Sequence, residues 1–181
     1  PSKDPKAQEH KKQGILKDPY NRPAPGNSWS PSDESLEGHW RQVDGKTVHS
    51  SVLWADAAID YLGKHAAKSD VPFFMYVAFH APHDPRQSPT EYVDLYPPTK
   101  ITVPPNFLPE HPFDQGDHKG RDEVLAPFPR TKGAIQVHLS EYYAIITHLD
   151  QQIGRILDAL EKSGEADNTI VIFSADQGLA V

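Results

Sequence analysis

The sequence predicts an α/β fold, and three observations together predict it. Two short apolar runs, at residues 71–79 and 169–174, have the length and composition of buried strands. A long stretch with helical periodicity, residues 133–163, lies between them, and a shorter helical pattern precedes the first run. Helix, strand, long loop, helix, strand is the order of an α/β domain, with a mostly parallel or mixed central sheet flanked by helices. In open sheets of this kind, ligands bind beyond the carboxyl ends of the strands.

Taken in order, residues 1–31 hold six Pro and six Lys or Arg, with apolar residues too scattered for either period, and read as loop. Residues 38–49 then place β-formers around Asp44-Gly45, a favoured type I′ turn, and predict a hairpin. A helix follows, with Ser50 or Ser51 as N-cap and Leu53, Ala55, Ile59, Leu62 and Ala66 on one face, fading near Ser69-Asp70. Residues 71–79 are apolar throughout and rich in aromatics, as expected of a strand buried on both faces.

Ten of the 18 Pro fall between residues 85 and 129, which prevents a long helix there. In residues 133–163, Ile135, Leu139, Tyr142, Ile146, Leu149, Ile153, Ile156 and Leu160 recur in steps of four and three. Ile145 and Leu157 widen that stripe, which predicts a helix lying on a sheet rather than a free coiled coil. Gly164 suits the position just past its end, and Lys162 suits the negative end of its dipole.

Composition removes several classes. The 181 residues contain no Cys, which excludes a disulfide scaffold, a Cys-based zinc site and a thiol nucleophile within them. The longest apolar run, at 71–79, is about half of a bilayer span. A net charge of −7 without a sustained basic stretch argues against nucleic acid as the main partner. The single Met is Met75, so residue 1 is not an initiator, and a processed chain or part of a longer one is expected.

Both strand exits carry chemistry. His80, His83, Asp84 and Arg86 follow the first strand; Asp176 and Gln177 follow the second. The Asp176 carboxylate and the Gln177 carbonyl are hard oxygen donors, suited to Ca²⁺ or Mg²⁺ rather than a soft metal. Such a cation beside an imidazole can stabilise charge on a tetrahedral oxyanion ester. His80 and His83 are poor zinc ligands as a pair, with no third ligand nearby in sequence.

Three segments resemble the formylglycine-dependent sulfatases of the alkaline phosphatase superfamily. Residues 72–85, Pro-Phe-Phe-Met-Tyr-Val-Ala-Phe-His-Ala-Pro-His-Asp-Pro, are similar to the stretch that ends in that family's active-site His. Residues 142–157 are similar to its long helix, and residues 167–178 to the strand ending in two metal ligands. Order and spacing agree for all three. The resemblance implies a sulfatase or alkaline-phosphatase-like domain that hydrolyses a sulfate ester of a small molecule or carbohydrate to alcohol and sulfate. It further implies Asp176 and Gln177 as ligands of Ca²⁺ in preference to Mg²⁺, His83 as the residue that helps the ester oxygen leave, and His80 and Arg86 as substrate-pocket residues. His148 and Asp150, on the long helix, read as structural. A periplasmic or secreted location is also implied.

The family's Cys-x-Pro-Ser-Arg nucleophile motif, its paired N-terminal Asp ligands and its Gly-Lys-x-His segment are missing from these residues. Ser30-Pro31-Ser32 has Trp29 where that Cys would stand and Asp33 where the Arg would stand. The expectation is therefore an interior piece of a sulfatase, inactive alone, with its formylglycine supplied from outside. Residues 1–44 would be a loop-rich lead-in reaching into the hairpin, and residues 45–181 the middle of the catalytic domain, incomplete at both ends. Two alternatives stay open: a phosphoester or phosphonate hydrolase of the same superfamily, and a catalytically dead relative that binds sulfated glycans.

Overall fold

A computed structural model describes residues 30–32, 34, 38–64, 71–114, 116, 126 and 128–178. The loop expected over residues 1–31 lies almost wholly outside them, as does the expected fading of the first helix at residues 65–70.

Strands β1 (Trp40–Val43) and β2 (Lys46–His49) form an antiparallel hairpin in which Trp40 opposes His49 and Val43 opposes Lys46. Asp44 and Gly45 have φ of 49° and 75°, the two positive values a type I′ turn demands, so the Asp-Gly pair does what its chemistry predicts. The chain passes directly into helix α1 (Ser50–Lys64). Its cap is His49, not a serine: the Ser51 N–H donates to His49 Nδ1 at 3.2 Å. An imidazole nitrogen here satisfies an orphan N–H of the first turn, the role a serine oxygen usually fills.

Helix α1 buries Ala55, Ala58 and Leu62 against Ile156 and Leu160 of the long helix (Lys132–Ser163), which is the third in the chain and is called α3. Phe73, Met75, Val77 and Phe79 of the extended segment pack onto the same cluster. Phe74 and Tyr76, by contrast, are 90% and 82% exposed. This period-2 alternation is that of an extended chain with one covered face, so the expectation of burial on both faces is corrected here. Residues 170–173 are likewise exposed, against the expectation of a second buried strand. The physical reason is the same for both: among the described residues the sole sheet is the two-stranded hairpin, and no strand pairs with or covers either segment.

Helix α3 begins as its sequence predicts. Thr131 caps it through Oγ1, which accepts the Ala134 N–H at 3.1 Å, and Gly164, with φ of 81°, ends it in the left-handed conformation. Its buried face differs from the apolar stripe. Ile146 and Leu157 are exposed, whereas Ser140, Glu141, His148 and Gln152 are buried. The Pro-rich excursion explains the difference. It contains short helix α2 (Thr90–Val93) and a 3₁₀ turn (Pro98–Lys100), and its backbone carbonyls lack ladder partners. Polar side chains of α3 supply them: Gln136 Nε2 donates to the Ile101 carbonyl at 2.9 Å, and Ser140 Oγ donates to that of Tyr96. Tyr96 Oη and Thr147 Oγ1 add a bond of 2.7 Å. Helix α3 therefore buries polar side chains beside apolar ones where it meets backbone that needs donors.

Candidate functional site

The loop that leaves the first extended segment is built from two turns. The His83 N–H donates to the His80 carbonyl at 3.1 Å, and the Gln87 N–H to the Pro85 carbonyl at 2.8 Å. These turns bring the His80 and His83 rings into a stack, with centroids 5.8 Å apart and planes 20° from parallel. The His83 side chain is 64% exposed, 3.7 Å from the Asp84 carboxylate. Its Nδ1 donates to the Asp84 carbonyl at 2.7 Å, which orients the ring and leaves Nε2 to meet a ligand. This is the geometry of an oriented acid–base group at a surface.

Behind His80 runs a line of buried imidazoles. His39 lies 5.0 Å from His80, ring centre to ring centre; His49 stacks 5.1 Å from His39; His148 of α3 meets His49 edge-on at 4.5 Å. Burial pushes all three down from 6.5, His39 to about 4, His49 to about 3 and His148 to about 4, with neighbouring histidines adding to the effect. All three are neutral at pH 7, and two of them donate hydrogen bonds to the loop. His39 Nε2 donates to the His83 carbonyl at 2.8 Å, and His49 Nε2 to the Gln87 carbonyl at 3.1 Å. His39 and His49 were not among the residues the sequence pointed to. The available signal was two histidines bracketing a predicted hairpin, one of them opposite a Trp.

Arg86, expected in a substrate pocket, is 3% exposed, and its Nη1 donates to the His138 carbonyl of α3 at 3.3 Å. A guanidinium so placed ties the loop to the long helix. His148, which reads as structural from its place on the long helix, is buried.

Gly38 sits beneath the same loop. A Cβ there would stand 2.1 Å from Gln87 Oε1 and 2.7 Å from Pro85 Cγ, and Gln87 is fully buried. Gly38→Ala is therefore expected to destabilise the protein by about 1–3 kcal/mol through overpacking, read as a lowered urea midpoint. An unchanged midpoint would show that Gln87 moves aside freely.

Asp176 and Gln177 lie exposed beyond the second extended segment. No hydrogen bond or ion pair joins them to the histidine loop among the described residues, and no group of three metal-ligating side chains occurs there. Two hard oxygen donors fit part of a calcium shell, which takes six to eight, roughly. They do not complete one. The chain has no Cys, so a formylglycine does not fit within it.

An α/β frame of the alkaline-phosphatase-like class accounts for this arrangement of helices, extended segments and polar exits. The chain belongs to the sulfatase family, whose profile matches residues 7–181. It is 31% identical over 133 residues to an arylsulfatase of Clostridium perfringens, covering 74% of this chain and 27% of that protein. Over 138 residues it is 33% identical to the iduronate 2-sulfatase of Homo sapiens, covering 70% of this chain and 25% of that one. A multifunctional alkaline phosphatase superfamily protein of Trinickia caryophylli is 25% identical over 146 residues, covering 74% and 28%. The chain thus spans about a quarter of the length of the curated relatives it matches.

Proposed function

We propose that the protein carrying this chain is a sulfuric ester hydrolase, acting on a sulfated small molecule or carbohydrate. The observation that carries this reading is His83, exposed and held by its Nδ1–H bond to the Asp84 carbonyl, within a chain of the sulfatase family. His83 Nε2 donates a proton to the departing ester oxygen, general-acid fashion, so that the alcohol leaves neutral. His80, stacked on it, forms the adjoining wall of the pocket. Asp176 and Gln177 contribute oxygen donors to a Ca²⁺ site (Mg²⁺ being second choice), and the bound ion offsets negative charge on the sulfate oxygens. The nucleophile, a formylglycine in this reading, comes from outside these residues.

The exposed faces of residues 71–79 and 169–174 are, in the same reading, surfaces of a parallel or mixed central sheet completed by strands beyond this chain. Exposed apolar side chains such as Phe74, Ile170 and Ile172 on these extended segments support it. No helix among the described residues is long and apolar enough to cross a membrane. A periplasmic or secreted site of action is part of the proposal, by family likeness. The similarity to a multifunctional superfamily member favours one second reading, a phosphoester or phosphonate hydrolase.

Asp176→Ala in the full-length protein is expected to lower bound calcium from stoichiometric to substoichiometric and to reduce ester hydrolysis with it. Metal analysis after gel filtration checks this. Unchanged calcium content would remove Asp176 from the metal site.

A further inference from the structure

We propose that His39 and His49 are positioning residues for His83, two imidazole N–H donors that clamp opposite ends of the 83–87 loop. The inference rests on the functional reading of His83 given above. Four observations carry it, beginning with two contacts between residues 44 and 38 positions apart in sequence.

The first is that pair of bonds. His39 Nε2 reaches the carbonyl of His83 itself, and His49 Nε2 reaches that of Gln87, so the two anchor points bracket Asp84, Pro85 and Arg86. A carbonyl only accepts, so each Nε2 carries a hydrogen. For His49 the tautomer is set twice, since its Nδ1 accepts the Ser51 N–H that begins α1.

Second, the clamp has a rigid base. The Ser50 N–H donates to the His39 carbonyl at 2.6 Å, which ties His39 to the start of α1, and His49 is the last residue of β2. Third, both rings are fully buried and neutral, so they keep a single N–H donor each at physiological pH. The ionisable groups facing His39 are His80, His83, His49, His148 and Arg41; those facing His49 are His148, His39 and Arg41. Fourth, Gly38 lets the hairpin approach the loop closely enough for these bonds to form, since a side chain there would meet Gln87 and Pro85.

A catalytic loop without regular secondary structure has few backbone bonds of its own. Here the carbonyl of the reacting residue and that of the loop's last turn are both held from beneath. Moving a general acid by an ångström is enough to reduce turnover about a hundredfold.

The test uses the full-length enzyme with glucose 6-sulfate, a carbohydrate ester whose leaving alcohol needs the proton, comparing His39→Leu with His39→Gln, whose amide N–H can reach where Nε2 does. His39→Leu is expected to lower kcat at least tenfold with a smaller change in KM, and His39→Gln to restore it to within roughly threefold of the original. Hydrogen–deuterium exchange of the peptide spanning residues 80–88 gives a readout independent of turnover: exchange speeds up about tenfold or more in the Leu variant and less than about threefold in the Gln variant. If His39→Leu does not fold, His39→Asn replaces it, because its shorter amide stops short of the His83 carbonyl. Equal impairment of the donor and non-donor variants, or unaltered exchange, overturns the clamp. Failure of the unmutated enzyme to cleave the ester counts against the functional reading, while the exchange comparison still decides the clamp.

Discussion

If the full-length protein is the sulfate ester hydrolase proposed, His83→Ala is expected to lower its kcat for a sulfate ester by roughly 10²–10⁴-fold, the range a positioned general acid contributes. The reason lies in the local geometry. His83 is exposed, its Nδ1 is engaged by the Asp84 carbonyl, and its ring is stacked on His80, so Nε2 stays open, and in the proposed reading it serves the leaving oxygen. The loss should depend on the ester. A leaving group of low pKa, such as a nitrophenol, needs little protonation and should suffer less than an alkyl or carbohydrate alcohol. Steady-state kinetics with the two kinds of ester checks both parts. Equal losses for both would assign His83 to binding of the sulfate group instead of proton transfer.

The second large effect is acid destabilisation. His39, His49 and His148 are held neutral by burial, with folded values of about 4, 3 and 4 against 6.5 when unfolded. Between those limits the unfolded chain binds more protons than the folded one, so stability rises with pH. The contribution is complete above pH 6.5 and is lost as pH falls toward 3–4. The protonated rings would be poorly accommodated: Nδ1 of His39 and Nδ1 of His148 have no hydrogen-bond partner among the described residues. A tenfold difference in proton affinity between folded and unfolded chain corresponds to about 1.4 kcal/mol. Three such groups together remove several kcal/mol, a large share of the roughly 5–15 kcal/mol a domain commonly has. Urea midpoints of the full-length protein should therefore be level from pH 7 to 8 and fall steeply below pH 6. His148→Gln, which removes one titrating ring, should flatten that slope. A midpoint independent of pH down to 5 would contradict neutral burial of the three.

Features with local causes were legible in the sequence. The Asp44-Gly45 turn, the Gly164 end of α3, and the polar exits at His80–Arg86 and Asp176–Gln177 all follow from residue chemistry over a few positions. Features with distant causes were not. His49 caps α1 because the hairpin delivers its ring there, and nothing in the Ser-Ser pair that follows signals this. Periodicity on α3 marked apolar residues, but part of it packs on a Pro-rich segment whose carbonyls need donors, so Gln136 and Ser140 became contact residues, and Thr147 meets the Tyr96 hydroxyl there. The likeness of its segment to the family suggests Arg86 as a pocket-wall or a structural residue; its bond to the His138 carbonyl, 52 positions away, has no local signal. The apolar runs at 71–79 and 169–174 have strand composition, but composition cannot supply the neighbouring strands that would bury their second faces.

Whether this chain carries the leaving-group half of a sulfate ester hydrolase's active site is decided by one comparison. Inorganic sulfate and phosphate released by the full-length protein from matched sulfate and phosphate esters are measured with and without His83→Ala. The expected result is sulfate release that outpaces phosphate release and collapses in the variant. Phosphate release that outpaces sulfate release, or sulfate release that survives the loss of His83, would contradict it.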